Sequence, residues 1–349
     1  WFFFASACRP FGMVNLNPDM VAEGWWNSGY QYDEPTIYGF NHVHAWQLSG
    51  PSVMPVTGDV QLQTGSDFCR SRYSHDAEIV EVGYHAVTLE DYQVRAELTS
   101  TDRVGLHRLT FPNSKKRAVL FNLGSGTGPS SISAGSIKVV GDRCVEGAIT
   151  AGPTRRRPKP CVIYFSAEFD VPFKSFSAWT DGIERGTVRS ANGKDCKALV
   201  HFAADAQRVV QLKVALSYVS TEQARLNLEA ELPHWDFEKV QAESRQVWNK
   251  WLSKIEVEGG TEAERIKFYT DLWHVLLGRR MNSDVNGKYC DRTGPEPVIR
   301  QIPLTHQGKP KYHHYNSDAF WNTFWNINQV WGLAYPEVTR SFVGCMLDM

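Results

Sequence analysis

The sequence has little that points to a metal, a redox role or a particular compartment. Its seven cysteines are scattered and form no Cys-x-x-Cys pair, which argues against a zinc site. Because the number is odd, complete internal pairing is excluded, and most of the cysteines are expected to be buried thiols. The cysteines therefore do not indicate a compartment.

A surplus of positive charge and a long apolar run are also missing. The chain has 37 Lys and Arg against 38 Asp and Glu, for a formal net charge of −1. Nucleic-acid phosphates require a cationic surplus, so a nucleic-acid partner is not predicted. No run of about 18 apolar residues is present, so no membrane span is predicted. The apolar start is short and has no basic leader, and we interpret it as a buried first strand and not as a signal peptide.

Several catalytic motifs are absent as well. No Gly-rich phosphate loop precedes a helix, and no Ser/His/Asp order suggests nucleophilic catalysis. Paired carboxylates for glycoside hydrolysis are a reasonable target. However, no Asp or Glu pair stands in an apolar stretch that would raise the pKa of one partner.

What the sequence does contain predicts two domains in 349 residues. Residues 1–233 show short runs of Val, Ile, Tyr and Phe, separated by Gly, Pro, Asn and Asp about every eight to twelve residues. This pattern predicts a large antiparallel β-sandwich. One predicted strand covers residues 53–63, and residues 124–135 are expected to form a loop. The basic run 154–159 is either an exposed loop or an anion site, and its prolines favour the loop.

Helical spacing begins after residue 233. Asp236 is predicted to cap a helix, in a linker over residues 234–260 that ends in a short strand-like segment. Thr261 and Glu264 form a capping-box pattern before a second helix, which is expected to end at the cationic pair Arg279-Arg280.

A long connection over residues 282–316 then leads to a helix over 321–334 and another that starts after Pro336. Two or three helices cannot bury their own apolar faces. Residues 261–349 are therefore expected to open an all-α domain, in a chain that is a piece of something longer.

Three clusters combine aromatic and polar side chains. In the first, Phe11 and Gly12 either present a ring and an open backbone to a ligand or form a strand entering a turn. In the second, His42 and His44 share one face of a strand, where they could bind a metal or hydrogen-bond a sugar or the backbone. Trp46 follows beside Gln47, and an indole next to hydrogen-bonding groups suits a sugar.

The third cluster surrounds Asn322, in the first turn of a predicted helix with Trp321 and Trp325 alongside. Either this segment holds a polar ligand, or the tryptophans form an aromatic core stripe below a cap at Asp318 or Asn316.

With these pieces in order, the chain resembles glycoside hydrolase family 92, the calcium-dependent exo-α-mannosidases. The resemblance runs through Arg9-Pro-Phe-Gly-Met-Val-Asn-Leu-Asn-Pro-Asp, Gly29-Tyr-Gln-Tyr-Asp, Ile37-Tyr-Gly-Phe-Asn-His-Val-His, Leu48-Ser-Gly, Gly58-Asp-Val, Thr101-Asp-Arg-Val-Gly-Leu-His-Arg, Phe268-Tyr-Thr-Asp-Leu-Trp-His, Ser283-Asp-Val-Asn-Gly-Lys-Tyr and Ala319-Phe-Trp-Asn-Thr-Phe.

The resemblance implies a β-sandwich over residues 1–233, a helical linker over 234–260 and the first helices of an (α/α)6 barrel over 261–349. The active site would lie between sandwich and barrel, with Phe11, Gly12, His42, His44, Trp46 and Asn322 in the mannose pocket. Family enzymes invert configuration with a glutamic acid and an aspartate base, and calcium holds two sugar hydroxyls. The acid, the base and the calcium ligands are expected beyond residue 349, so these residues alone are predicted to be inactive.

The chain departs from the family at one motif. Trp-Asp-Thr-Phe-Arg of the family is replaced by Trp321-Asn322-Thr323-Phe324-Trp325, which predicts an altered sugar or linkage preference. We therefore expect a fragment of a secreted or periplasmic α-mannosidase-like hydrolase that acts on mannose-containing glycans and needs the remainder of the barrel. The alternative is a non-catalytic glycan-binding protein that kept the sandwich.

Overall fold

The computed structural model of the chain describes residues 6–20, 29–45, 48–63, 69–113, 116–125, 131–155, 157–316 and 323–347. Up to Ser217 the described residues form strands and turns, apart from a short 3-10 helix at His75–Ala77. In chain order the strands are β1 (Ala7–Cys8), β2 (Asn15–Asp19), β3 (Thr36–Ile37), β4 (Gly39–Asn41), β5 (His44–Ala45), β6 (Leu48–Ser49), β7 (Ser52–Thr57), β8 (Ser71–Arg72), β9 (Ile79–Glu81), β10 (Tyr84–Leu89), β11 (Val94–Ser100), β12 (Val104–Thr110), β13 (Arg117–Asn122), β14 (Ile132–Val140), β15 (Cys144–Ala151), β16 (Cys161–Phe169), β17 (Ser175–Thr180), β18 (Ile183–Thr187), β19 (Ser190–Gly193), β20 (Cys196–His201) and β21 (Val209–Ser217).

The described strands form two large antiparallel sheets. One has eight strands in the order β1-β2-β4-β7-β13-β20-β17-β18, and the other has nine in the order β19-β14-β15-β16-β21-β12-β11-β10-β9. One apolar core takes side chains from both sheets; Phe121 of β13 stacks on Phe165 of β16 with ring centroids 6.0 Å apart. The predicted sandwich is confirmed. Its strand β7 is shorter than expected, and β14 begins at Ile132, inside the segment expected to be a loop.

Helices follow the last sandwich strand. They are α1 (Thr221–Glu231), α2 (Phe237–Leu252), α3 (Glu262–Val275), α4 (Ile327–Ala334) and α5 (Pro336–Leu347), and a hairpin of β22 (Lys288–Asp291) and β23 (Val298–Gln301) lies between α3 and α4. The cap of α2 at Asp236 and the capping box of Thr261 and Glu264 are as predicted.

Three details of the helical region differ from the sequence prediction. Helix α1 was not foreseen, because only Ala224, Asn227 and Leu228 are buried on it and no apolar stripe marks its face. Residues 254–260 form turns and not a strand. The described part of the predicted 321–334 helix is helical only from Ile327, since residues 323–326 form a turn.

A second apolar core joins the sandwich to the helices. It combines Cys8 and Phe11 from the start of the chain with buried rings of α2 to α5, among them Trp248, Trp273 and Trp331. The indole nitrogen of Trp248 donates to the backbone oxygen of Cys8 at 2.7 Å. This core fixes the helical segment against the first two strands.

Some apolar surface of the helices stays open. Leu333 of α4 is 87% exposed and Leu347 of α5 is 82% exposed. Among the described helices none is both long and apolar enough to cross a membrane.

Candidate functional site

Phe11 lies in the junction between the sandwich and the helices. Its ring is 3% exposed and meets the rings of Trp251, Tyr315 and Trp331 edge-on, with centroids 5.5–6.2 Å apart. Its backbone nitrogen donates to Leu276 O at 3.1 Å. The structure therefore gives Phe11 a packing role, and contact with a sugar stays a prediction.

The backbone around Phe11 explains the residue that follows it. Phe11 has a φ of +57°, a conformation that costs about 1–2 kcal/mol in a non-glycine residue. A Cβ on Gly12 would lie 3.2 Å from Arg9 O and 3.3 Å from Asp102 O. Close backbone packing thus favours glycine at this position, which needs no ligand to explain it.

His42 is buried inside the sandwich. Its Nδ1 lies 2.8 Å from Pro51 O, and its Nε2 lies 2.9 Å from Nε2 of His107 on β12. Burial lowers the pKa of His42 to about 4 and that of His107 well below its usual value, so both rings are neutral at pH 7. Both ring nitrogens of His42 are engaged by protein atoms, so its observed role is to join the two sheets.

His44 is held by strand β2. Its Nδ1 lies 2.9 Å from Asn15 O, and its Nε2 lies 2.7 Å from Oδ1 of Asp19. The other oxygen of Asp19 accepts from Nδ2 of Asn41 at 3.2 Å. The imidazole is locked between a backbone oxygen and a buried carboxylate, which orients the segment that continues to Trp46.

Arg280 connects this histidine to the helical region. Its Nη1 donates to His44 O at 3.0 Å, and its own backbone oxygen accepts from Asn316 N at 3.0 Å. One buried residue therefore ties together the two segments that lead to Trp46 and to Asn322. Trp46 and Asn322, the two residues predicted to contact the sugar, lie outside the described residues.

Arg279 anchors the residue after Asn322. Its Nη2 donates to Oγ1 of Thr323 at 2.9 Å, and its guanidinium lies 4.2 Å from the ring centroid of Phe342. Arg279 and Arg280 are 3% and 5% exposed and lie beyond the end of α3. The sequence prediction that they are helix-terminal cations is wrong: the chain leaves the helix at Val275, and Arg279 has a φ of +62° that turns the pair into the junction.

Phe324 and Trp325 form an exposed aromatic pair next to this anchor. They are 56% and 71% exposed, and their rings stack with centroids 4.7 Å apart. Most of the indole of Trp325 is therefore open to solvent, two residues after Thr323.

A buried polar seam holds the same junction from its other side. Arg103 donates from Nη1 to Glu231 at 2.6 Å and from Nε to Ser283 O at 2.8 Å. Asp284 accepts from Ser217 at 2.9 Å and from Asn227 at 2.7 Å. Burial raises the pKa of Asp284 to about 6, although the two hydrogen bonds oppose this rise.

The structure brings some predicted site residues together. Phe11, Gly12 and His44 lie at or beside the junction, whereas His42 lies inside the sandwich, and all four residues are buried. Sequence analysis missed Asp19 and the two arginines, which hold the junction. The alternation of Asn15, Asn17 and Asp19 along a buried strand was an available signal, since such polar residues need partners.

A groove of about 630 Å³ lies elsewhere, between the edge strand β9 and helices α2 and α3. Its walls include Val80, Ile266, Tyr269 and Trp273, and no predicted site residue lines it. The groove therefore lies at another part of the boundary between sandwich and helices, away from the predicted site residues.

The described side chains at the junction do not form a metal site. Within the part of the chain that the structure describes, no three His, Cys, Asp or Glu side chains are grouped as a metal site. The histidine and aspartate side chains at the junction are occupied by one another, by asparagine and by backbone oxygens. They do not fit a calcium ion, which takes six to eight oxygen ligands.

Comparisons with known proteins agree on one family. The profile of the glycosyl hydrolase family 92 N-terminal domain matches residues 1–217, and that of the family 92 catalytic domain matches residues 223–349. A solved family 92 α-mannosidase from Bacteroides thetaiotaomicron superposes with a TM-score of 0.87 at 26% identity, over 99% of this chain and 47% of that one. A structure of that α-mannosidase with mannoimidazole gives a TM-score of 0.85.

Two further relatives are more distant. An inverting family 92 mannosidase from Bacteroides thetaiotaomicron VPI-5482 has a TM-score of 0.85 at 22% identity, over 99% of this chain and 45% of that one, and it shows the fold alone. An uncharacterized secreted glycosidase from Arthroderma benhamiae is 23% identical over 328 residues, which are 84% of this chain and 40% of that protein. The chain thus spans less than half the length of these relatives.

Proposed function

Because the chain belongs to glycosyl hydrolase family 92, we propose that it is part of an exo-acting α-mannosidase that removes terminal mannose from glycans. The observation that carries this proposal is the superposition of 99% of the chain on a family 92 α-mannosidase at 26% identity. The superposition takes in both the sandwich and the helices, so it includes the junction between them.

The residues of this chain would form one wall of the sugar pocket. Arg280 sets the distance between the segment before Trp46 and the segment before Asn322, and Arg279 holds Thr323 next to Asn322. The first of these segments is oriented by the hydrogen bonds that join His44, Asp19 and Asn41. In this proposal Trp46 and Asn322 touch the mannose, and the buried groups position them.

The chemistry proposed for the whole enzyme is inversion at the anomeric carbon. A glutamic acid protonates the leaving oxygen and an aspartate activates water, with the two carboxyl groups far enough apart to hold that water. Both groups are expected in the part of the family barrel that follows residue 349, and the rest of that barrel is a required partner.

Calcium belongs to the same proposal, with its ligands also expected outside residues 1–349. When bound, it would hold two neighbouring hydroxyls of the mannose. No step assigned here to residues of this chain passes through it.

The location proposed for the enzyme is secreted or periplasmic. The support is the secreted glycosidase of Arthroderma benhamiae, which is similar over 84% of this chain.

Hydrolysis assays test the proposal. The whole protein should release mannose from an aryl α-mannoside and from α-mannobiose, and NMR should show β-mannose as the first product. Chelation should abolish this activity and added calcium should restore it. Binding of mannosides without any hydrolysis would instead favour the glycan-binding alternative, and activity that resists chelation would remove calcium from the proposal.

Asn322 offers a separate test of the pocket. Asn322→Asp restores the family residue and should change the preference among α-linked mannosides while leaving the unfolding midpoint nearly unchanged. A large loss of stability would show that Asn322 has a structural role instead.

A further inference from the structure

An exposed tyrosine lies away from the junction on a rigid support. Tyr32 is 66% exposed, and its ring stacks on the imidazole of His75 with centroids 4.0 Å apart and planes 8° apart. One face of the phenol ring is therefore covered by His75, and its exposure leaves the other face to solvent. Tyr73 also contacts the imidazole in an edge-on arrangement, with ring centroids 5.2 Å apart.

Hydrogen bonds fix this stack on both sides. Nε2 of His75 lies 2.8 Å from Tyr32 O, and Nδ1 of His75 lies 2.6 Å from Oε2 of Glu78. Both ring nitrogens face acceptors, so His75 makes both bonds only as a doubly protonated imidazolium. The bond to Glu78 raises the pKa of His75 in agreement with this, and the cation strengthens its stacking on the phenol.

Glu78 is itself held from three directions. Besides His75, it accepts from Tyr30 OH at 2.9 Å, and its Oε1 lies 2.8 Å from Nε2 of His85. Its side chain is only 6% exposed, and Nδ1 of His85 lies 2.8 Å from Oγ of Ser6. A buried carboxylate is costly, yet here it supports a ring that is mostly outside the protein. Such a network preorganises the ring, which lowers the entropy lost when a ligand binds.

The surroundings of the ring indicate the kind of ligand. Tyr32 is followed by the exposed Asp33 and Glu34, and the exposed Arg72 belongs to strand β8, which pairs with β3 just after this turn. An open ring with exposed carboxylates next to it in the chain suits a ligand that has one apolar face and a rim of hydroxyls, as a pyranose has.

We propose that the open face of Tyr32 is an outer subsite for a pyranose ring of the glycan, separate from the pocket for the terminal mannose. The sugar ring stacks on the phenol, and Asp33 and Glu34 accept hydrogen bonds from its hydroxyls. This inference rests on the proposed function, because it takes the ligand to be a mannose-containing glycan.

The test compares ligands of increasing length on the whole protein. Affinities of methyl α-mannoside and of hydrolysis-resistant, sulfur-linked analogues of α-mannobiose and a linear α-mannopentaose are measured by NMR titration for the wild type, Tyr32→Ala and Tyr32→Trp. Loss of one stacked ring should weaken the pentaose roughly three- to tenfold in Tyr32→Ala. The methyl mannoside should bind as before, and Tyr32→Trp should keep wild-type affinity for the pentaose.

One control variant and two contradicting outcomes separate the possible failures. Ile183→Ala, at an exposed residue of the edge strand β18, should leave all three affinities unchanged. If Tyr32→Ala binds the pentaose as tightly as the wild type does, the subsite is overturned while the terminal pocket stands. If the wild type binds none of the three mannosides, the proposed function is wrong, and the subsite that rests on it is wrong as well.

Discussion

Arg280 and His44 meet across the junction of the sandwich and the helical region. Nη1 of the arginine donates to the backbone oxygen of the histidine at 3.0 Å, while the histidine ring is fixed by Asp19 at 2.7 Å. The contact is buried, and it joins two segments that are more than 200 residues apart in the chain. The relative position of the two halves of the proposed pocket depends on it.

Replacing Arg280 should loosen this junction. Arg280→Met keeps the length of the side chain but removes the donors, and a hydrogen bond to a charged group contributes about 1.5–3 kcal/mol. We expect the free energy of unfolding in urea to fall by that amount. Arg265→Met, at an exposed arginine that donates to Gly259 O and Gly260 O, should change it by less than about 0.5 kcal/mol. Equal effects of the two variants would contradict the assigned role.

Replacing Glu231 should reduce the free energy of unfolding more than its position at a helix end suggests. Glu231→Gln removes the charge facing Arg103, whose side chain is 5% exposed, and a buried cation without its partner costs about 3–5 kcal/mol. Thermal and urea unfolding should both show this loss. Glu229→Gln, on the exposed side of α1, is the matched control and should be close to neutral. A neutral Glu231→Gln would mean that Ser283 O alone satisfies the arginine.

The buried histidine pair should make the sandwich sensitive to mild acid. The folded state lowers the pKa of His42 to about 4, so the unfolded chain binds the proton more tightly between pH 6.5 and 4. Stability from this residue is therefore present above pH 6.5 and is lost as the pH falls. Between pH 6.5 and 5 the loss should be about 2 kcal/mol larger in the wild type than in His42→Gln.

The control for this measurement is His306→Gln, at an exposed histidine. It should keep the acid sensitivity of the wild type. If His42→Gln loses stability with acid as steeply as the wild type does, the pair does not titrate as argued.

Asp284 should have the opposite pH dependence. Burial raises its pKa to about 6, so the folded state binds the proton more tightly than the unfolded state, and its contribution to stability decreases as the pH rises from about 4 to 6. Asp284→Asn cannot ionise and can still hydrogen-bond Ser217 and Asn227. Between pH 4 and pH 7 the free energy of unfolding of Asp284→Asn should rise by about 2–3 kcal/mol relative to that of the wild type.

Unfolding curves of Asp284→Asn and the wild type at both pH values check this expectation. Asp271→Asn, at an exposed carboxylate on α3, should follow the wild type instead. A constant difference between Asp284→Asn and the wild type at all pH values would show that the carboxyl keeps one protonation state.

Local signals in the sequence predicted a large part of the fold. Alternating apolar residues predicted the sandwich, and the caps at Asp236 and Thr261 predicted the starts of α2 and α3, because these features depend on neighbours three or four residues away. Helix α1 was not predicted because Asn227, a polar residue, occupies its buried face and hydrogen-bonds Leu216 O and Asp284. Its partners lie outside the helix, so no local pattern reveals them.

The candidate site could be predicted only in outline. The resemblance led to Phe11, His42 and His44. The structure places Phe11 and His44 at the junction of the two regions and His42 inside the sandwich. The functions of Arg279 and Arg280 could not be foreseen, since their partners Thr323 and His44 are distant in sequence and since the positive φ of Arg279 has no signature in its residue type.

The place of Phe11 has a consequence for synthesis of the chain. Its backbone oxygen accepts from Met281 N, so this hydrogen bond waits for a partner made roughly 270 residues later, which at about 5–20 residues per second takes some 15–55 seconds. During that interval the left-handed turn at Phe11 lacks its hydrogen bonds to Leu276 O and Met281 N. All strands of the sandwich can therefore be made before the ring of Phe11 gains its partners Trp251, Tyr315 and Trp331.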